Sequence, residues 1–471
     1  MKRHAIAMAL TITLGGCTTL TPDYERPQLD VPAQFIGSKE AGESISNLTW
    51  WKLLSDEQLQ ALIRTALENN KDLLASLARI SEARQLLIVT QANQYPFIDI
   101  LGDASRGRQS KVLVPSANTR SNYAVGADLS FELDLWGKLR RATEASQADL
   151  LSTEASYRNV TISLVSSVAN AYLILRDLDE RLAISERTVV TRQHSLDIIQ
   201  ARFDKGTVSE LDVNQAQIEL AVAQAAVSVF QRQVIQTENA LQVLLGNNPG
   251  PVKRGESLEQ QAITPDVPAG LPSELLQRRP DLIAAEQRLA AETARIGVAE
   301  ALRYPNISLT GSLGLASDDL SDLTSSDAQT WNLAGNLLAP IFNSGQLKAQ
   351  ANAQRARAEQ ALLAYQSTLQ NAFREVEDAL VAVRTYRAEH GARQRQAVAA
   401  RNAARLSRAR YDGGVVDYLE VLDSERSLFN AELDESATLQ QYLTAIVQLY
   451  KALGGGWNPE ALQTNAASNG T

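Results

Sequence analysis

Apolar and polar residues alternate in several segments of the chain. From Asn306 to Leu315 the odd positions are apolar or glycine, while the even positions are mostly polar. Segments 122–135 and 331–342 alternate in the same way, and segment 96–105 does so more weakly. Such alternation over about ten residues is typical of a membrane-spanning β-strand, although a half-buried strand of a soluble sheet also shows it. The pattern predicts four strands.

Long helices are predicted on both sides of these strands. No glycine or proline interrupts residues 138–205 or 207–245, and only Gly391 interrupts 346–412, which is followed by the returning run 415–453. At about 1.5 Å per residue, the first run would extend about 100 Å as one helix. Helices of this length bury their apolar stripe against other helices instead of within a compact globule.

The order of elements occurs twice. Asp72-Leu73 recurs 209 residues later as Asp281-Leu282, and Ala201 to Asp204 recurs 208 residues later as Ala409 to Asp412, with Tyr411 in place of phenylalanine. A register held over this distance indicates two copies of one structural unit and a pseudo-symmetric fold.

The N-terminus predicts export and lipidation. Lys2 and Arg3 precede a short apolar run, and Leu14-Gly15-Gly16-Cys17 resembles a bacterial lipobox. Cys17 is the single cysteine of the chain, and lipidation would account for it in an exported protein. The alternative is an ordinary cleaved signal beside an incidental cysteine. Thr18 after the cysteine favours the outer membrane as the destination.

Proline, glycine and repeat positions together predict six segments. The repeats each contain a helix, a β-hairpin (about 97–135 and about 306–342) and a long helix pair whose tip lies near 206–212 or 414–423. The segments are a signal peptide 1–16, a lipidated tether 17–48, a first repeat 49–246, a linker 247–272, a second repeat 273–457 and a flexible tail 458–471.

Composition excludes several classes of function. The net charge of −9 argues against a nucleic-acid partner, and no run of 18 apolar residues follows the N-terminus. The three histidines are isolated from one another and from the single cysteine, so no metal site or catalytic cluster is expected. We therefore predict a protein that is not an enzyme and needs no cofactor. A lipid-tethered periplasmic hydrolase would require the cluster that the sequence lacks.

The hairpin loops favour a membrane setting for the strands. The one-residue difference between the two offsets falls within loops 106–122 and 316–330, which are long and oppositely charged. Long polar loops on one side suit the outward face of an outer-membrane barrel. The charged residues are Arg106, Arg108, Lys111 and Arg120 in the first loop and Asp318, Asp319, Asp322 and Asp327 in the second.

Four strands cannot close a membrane barrel, and unpaired edge groups in lipid cost several kcal/mol each. The chain is therefore expected to oligomerise. A dimer would supply eight strands and a trimer twelve. Eight strands leave an interior that side chains fill, whereas a lumen lined by polar residues needs more width, so we favour the trimer. Four long helices per chain would continue the pore as a helical barrel in the periplasm.

These features resemble the TolC/OprM-type outer-membrane efflux channels, in the branch that carries a lipobox. The resemblance covers essentially the whole mature chain and implies a homotrimeric duct that receives small molecules from an inner-membrane RND-type pump through a periplasmic adaptor. It rests on the lipobox at Cys17 and on Trp50-Trp51-Lys52, Phe131 to Gly137, Gln277 to Asp281, and Lys451 to Trp457.

Acidic residues at the two helical tips are the candidate functional residues. Glu420 and Asp423 share a helix face, and in a trimer each would form a ring of carboxylates that selects cations. The resemblance implies that acidic residues here form the closed periplasmic entrance, with Asp212 and Tyr411 in the network that holds it shut. Val416 stands where family members can carry an arginine, so the interlock must use other contacts.

A structural role is the alternative for two of the tip carboxylates. Ser209 and Asp212 have capping-box spacing, and Asp417 can cap the helix that contains Glu420. Two other functions also remain open: an outer-membrane duct for secreted polypeptides, or a trimeric structural or adhesive lipoprotein.

Overall fold

The computed structural model describes residues 24–28, 31–32, 34–36, 56–261 and 275–455. The predicted signal peptide, Cys17, the Trp50-Trp51-Lys52 motif and the tail lie outside these residues. The elements in chain order are α1 (Glu57–Asn69), α2 (Lys71–Ala92), β1 (Phe97–Gly107), β2 (Arg120–Leu133), α3 (Lys138–Asp204), α4 (Glu210–Leu244), α5 (Leu275–Arg278), α6 (Pro280–Ala301), β3 (Asn306–Ser317), β4 (Gln329–Leu338), α7 (Gln346–Asp412) and α8 (Tyr418–Ala452).

The internal duplication is confirmed by the lengths of the helices. Helices α3 and α7 each have 67 residues, and α4 and α8 each have 35. Their starts are displaced by 208 residues, from 138 to 346 and from 210 to 418. The fold is therefore mainly α-helical with a small β part. Within the described ranges, no helix is both long and apolar enough to cross a membrane.

Two proline positions shorten elements relative to the sequence pattern. Alternation predicted a strand from 331 to 342, but β4 ends at Leu338, and Pro340 lacks the amide that a ladder requires. The second repeat is predicted to have one helix before its hairpin, but the described residues there form the short α5 and then α6, with Pro280 as its first residue. Proline suits that position because its missing amide would have no partner there.

The four strands form one antiparallel sheet in the order β1-β2-β3-β4. The central pairing, between β2 and β3, joins the two repeats, with Tyr123 opposite Ser317 and Leu133 opposite Ile307. Strands β1 and β4 are the two outer strands, and neither pairs with a further strand in the described chain.

The register separates the sheet into two chemically different faces. Directly paired residues share a face. One face is mainly apolar, and several of its large side chains are exposed in the single chain, including Trp331 at 78%, Leu333 at 74% and Leu313 at 68%. The opposite face is mainly polar, and its side chains include Asp99, Asp103, Asn122, Asp128, Ser130, Ser308, Ser312, Asn332 and Asn336.

The described chain divides into two compact units. The sheet unit comprises the described residues up to Gln28, Arg79–Glu154 and Ala284–Gln366. Besides the sheet it contains helical segments joined by an ion pair between Arg295 and Asp149 and by a 2.9 Å hydrogen bond from Ser152 Oγ to the carbonyl of Ala284.

The helical unit comprises the described residues within Leu29–Ala78, Ala155–Ile283 and Ser367–Thr471. Its core contains fully buried Leu59, Tyr172 and Ile446. A carboxylate, Asp56, is also buried there and caps the N-terminus of α1. Both predicted helical tips belong to this unit.

Candidate functional site

The two helical turns pack together into one apolar cluster, which we call the tip cluster. Val208 from the first turn and Val416 from the second are partly buried against it. Val416 stands at the position where family members can carry an arginine. Its side chain makes an apolar contact with the tip cluster. The buried members of the tip cluster are Ile199, Val213, Ala216, Tyr411, Tyr418, Val421 and Leu422.

Each turn is closed by a glycine in the left-handed region. Gly206 has φ of 72° and Gly414 has φ of 71°, a conformation that disfavours other residues. The following amides donate back to the preceding helix, from Thr207 N to Arg202 O at 3.0 Å and from Val415 N to Arg410 O at 2.9 Å. The duplicated turns are thus built by the same local chemistry.

Asp212 and Asp417 both act as helix caps in this structure. Asp212 accepts from the amide of Ser209 at 2.9 Å and from its hydroxyl at 2.8 Å, which completes a capping box at the start of α4. Asp417 is the N-cap of α8 and accepts from the amide of Glu420 at 3.2 Å. Each carboxylate therefore satisfies backbone or hydroxyl donors at its own helix start.

The aromatic ring of Tyr411 is buried in the tip cluster. The ring centroid lies 5.5 Å from that of Tyr418, and the Arg202 guanidinium lies 4.7 Å from the Tyr411 ring centroid. The Tyr411 hydroxyl is buried and makes no hydrogen bond within the described chain. Tyr411 and Asp212 are therefore not hydrogen-bonded to each other within one chain.

Glu420 and Asp423 lie on α8 just past its cap. Glu420 accepts a hydrogen bond from Arg410 Nη1 at 2.8 Å, and both side chains of this pair are about half exposed. Asp423 is exposed, and its negative charge contributes to raising the pKa of Arg426. Of the predicted gate residues, these two present carboxylates that no helix cap uses.

A buried carboxylate, Glu219, was not predicted from the sequence. Its side chain is 7% exposed and lies between two guanidinium groups. Arg192 Nη2 is 3.0 Å from Glu219 Oε2, and Arg426 donates to Oε1 through Nε at 3.0 Å. Glu219 thereby links α3 and α4 of the first repeat to α8 of the second, close to the tip cluster.

A pattern in the sequence could have identified Glu219. It lies between Ala216 and Ala223 on the buried stripe of α4, with Leu220 beside it. A charged residue on an apolar stripe requires a partner, because an unpaired buried charge costs several kcal/mol. The identity of that partner was not readable, since Arg426 lies 207 residues away in the sequence.

Burial shifts the pKa values of ionisable groups near Glu219. Burial raises the pKa of Glu425, and the opposing effect of the Arg408 and Arg192 charges offsets only part of this increase. Burial also raises the pKa of Tyr418 to about 12, with a further contribution from Glu425. The pKa of Arg192 is lowered by the same loss of water, despite the nearby Glu219. Glu425 and Arg192 are therefore buried groups with partners of opposite charge, whereas Tyr418 is an uncharged packing residue of the tip cluster.

The described part of the chain contains no group of three or more histidine, cysteine, aspartate or glutamate side chains that could bind a metal ion. The tip therefore offers carboxylates, aromatic packing and ion pairs, an arrangement suited to holding helices together and attracting cations.

Sequence comparisons match almost the entire chain. The sequence profile of the family described as outer membrane efflux protein matches residues 62–247 and 271–455. The chain is 37% identical over 460 residues to outer membrane protein OprJ of Pseudomonas aeruginosa, covering 96% of this chain and 95% of that protein. It is 35% identical to cation efflux system protein CusC of Escherichia coli, covering 96% and 97%.

A solved structure supports the same relationship. The open state of the MtrE outer membrane channel of Neisseria gonorrhoeae matches with a TM-score of 0.85 at 31% identity. The match covers 93% of this chain and 98% of that channel.

Proposed function

The chain belongs to the family of outer membrane efflux proteins, and on this premise we propose that three copies form a passive duct for small molecules across the periplasm and the outer membrane. The protein is the outer-membrane component of an efflux system, as its relatives are. The family is one of channels and not of enzymes.

One observation of this structure carries the proposal of a membrane barrel. The sheet has an apolar face whose large side chains are exposed in the single chain, and its outer strands β1 and β4 each have an edge that pairs with no other strand of the described residues. Lipid is a suitable environment for such a face only if the edges are paired, because unpaired backbone groups in lipid cost several kcal/mol each. Three sheets of four strands, joined β4 to β1, pair every edge and give twelve strands around a polar lumen.

Partners and anchoring follow from the same proposal. Cys17 carries the lipid that holds the N-terminus in the membrane. An RND-type inner-membrane pump delivers the substrate, and a periplasmic adaptor joins that pump to the trimer. Purification of the full-length lipoprotein from its native envelope tests this assignment. Recovery of a pump and adaptor of that class supports it, whereas recovery of a polypeptide-secretion ATPase favours the secretion alternative.

The proposed gate lies at the periplasmic tips. Glu420 and Asp423 from three copies form rings of carboxylates around the entrance, supported by Asp212, Asp417 and Tyr411 within each tip. The support for this proposal is that Glu420 and Asp423 are exposed on one face of α8, whereas the carboxylates of Asp212 and Asp417 are engaged at the starts of α4 and α8.

The variant Glu420→Ala with Asp423→Ala is expected to raise single-channel conductance and weaken cation preference. Removing Glu420 also leaves Arg410 without its partner, which adds positive charge at the entrance. Recording in planar bilayers, with reversal potentials under a salt gradient, measures both quantities. Asp378→Ala is the matched control, because it removes an exposed α7 carboxylate about 50 Å along the helix from its end. Unchanged conductance and selectivity would remove Glu420 and Asp423 from the gate.

A further inference from the structure

Two loops of opposite charge lie at the same end of the sheet. Because the four strands are antiparallel and in sequential order, the β1–β2 and β3–β4 connections lie at the same end of the strands. The basic loop, residues 106–120, has four cations and no carboxylate, whereas the acidic loop, residues 318–328, has four carboxylates and no cation. These are Arg106, Arg108, Lys111 and Arg120 against Asp318, Asp319, Asp322 and Asp327.

The charges of both loops are exposed and lack partners of opposite sign. All eight side chains are exposed, and none of them forms an ion pair within the described residues of the single chain. Asp319 accepts hydrogen bonds from the amide and hydroxyl of Ser321, which orders the acidic loop without neutralising it. Each loop therefore presents a surface of one sign that another molecule can neutralise.

The order of the strands decides which surface faces which. The free edges of the sheet are β1, which leads into the basic loop, and β4, which leaves the acidic loop. If β4 of one copy pairs with β1 of the next, the acidic loop of the first copy lies beside the basic loop of the second. Around a closed ring, every basic loop then has an acidic loop on both sides.

We propose that the acidic loop of each copy docks on the basic loop of the next copy, and that this ring of ion pairs narrows the outward mouth of the channel. The inference rests on the proposed trimeric barrel and adds a second, charge-held constriction at the end of the sheet that bears the loops. Exposed ion pairs are individually weak and screened by salt, so the constriction yields to ionic strength.

Phosphate groups of outer-leaflet lipids are the competing occupant of the basic loop. The register argues against them for Arg120, which pairs with Gly107 and lies on the polar face of the sheet with Asp99 and Asp128. Lipid does not reach that face in a barrel. The equal and opposite charge of the neighbouring loop also gives the cations a partner within the assembly itself.

Reversal of two charges in each loop, alone and together, tests the pairing. Arg108→Glu with Lys111→Glu, or Asp318→Lys with Asp322→Lys, is expected to lengthen the dwell time in the high-conductance state about two- to fivefold at low salt. The four-substitution variant exchanges the signs at positions 108 and 111 with those at positions 318 and 322, so these positions again carry opposite charges, and it is expected to return the dwell time to that of the parent. A combined variant in which the two effects simply add would overturn the proposal, as would an effect that requires phosphorylated glycolipid in the bilayer.

Cross-linking establishes which chains the loops connect. A full-length variant with Lys111→Cys and Asp322→Cys is treated with a short bis-maleimide, and Lys111→Cys alone is the control. Covalent dimers and trimers on denaturing gels are expected for the double variant only. Cross-linked monomers, or no cross-link in a protein whose native mass is that of a trimer, contradict the loop pairing. A native mass below that of a trimer instead contradicts the proposed function on which the pairing rests.

Discussion

Replacing Asp56 by alanine is expected to destabilise the helical unit by about 3–5 kcal/mol, the cost of breaking a buried charged network. Asp56 is 1% exposed. Alanine would remove the N-cap of α1 and leave several buried donors without an acceptor. The donors to Asp56 are the amides of Gln58, Leu59 and Glu256, at 2.8, 3.2 and 3.1 Å, together with Tyr172 Oη and Gln261 Nε2, both at 2.8 Å.

The same network predicts a dependence of stability on pH. Burial alone would raise the pKa of Asp56, but hydrogen bonds from Gln261, Tyr172 and the α1 amides outweigh it and hold the pKa below its ordinary value of 3.8. A lowered folded-state pKa means that this stabilisation is fully present above the unfolded-state value and is lost as the pH falls through the folded-state value. The loss therefore occurs below pH 3.8.

Denaturant unfolding of the detergent-solubilised protein, followed by helical circular dichroism, measures the Asp56 effect. Asp72→Ala is the matched control, because Asp72 is an exposed carboxylate in the first turn of α2 and is expected to contribute about 0.3–1 kcal/mol. A loss below about 1 kcal/mol for Asp56→Ala, the typical value of a single helix cap, would show that the network adds nothing beyond the cap.

Gly314→Ala is expected to prevent assembly of the protein in the membrane. Gly314 faces Gly126 at the junction between the two repeats. A Cβ at Gly314 would lie 2.6 Å from the carbonyl oxygen of Val125 and 2.8 Å from the Cα of Gly126. The neighbouring atoms are backbone, so the two strands would have to move apart. Broken ladder bonds in lipid cost several kcal/mol each, so we expect at least about a tenfold loss of folded protein.

The amount of heat-resistant oligomer in outer-membrane fractions measures the Gly314 effect. Gly311→Ala is the control, because Gly311 lies on the same strand as Gly314 and an added Cβ there would make only ordinary contacts, the nearest with Leu333 Cδ1 at 3.7 Å. Equal amounts of oligomer in the two variants would show that β2 and β3 tolerate a wider separation and that the close approach is not required for assembly.

Much of the fold could be predicted because its signals are local. Alternation identified β3 at Asn306–Ser317, and long runs with no proline and at most one glycine identified α3 and α7. The duplication strengthened both predictions, since each copy supplies an independent reading of the same element. Strand β4 extended less far than its alternation, because apolar periodicity does not record where the hydrogen-bonded ladder ends.

The tip was predicted in its position and less completely in its contacts. Capping spacing identified Ser209 with Asp212, which the structure shows as a capping box. The pairing of Glu219 with Arg192 and Arg426, and the contact of Arg202 with Tyr411, depend on which helices lie side by side. Such partners are far apart in the sequence, so local periodicity carries no information about them. The roles of Glu420 and Asp423 in gating remain predictions.

Three copies are proposed to share one membrane barrel, and native mass spectrometry of the full-length protein in detergent micelles counts the chains in that assembly. A single species containing three chains is expected, because three sheets of four strands pair every free edge. A folded monomer that stays in solution without detergent, with the apolar face of its sheet covered by its own chain, would contradict it.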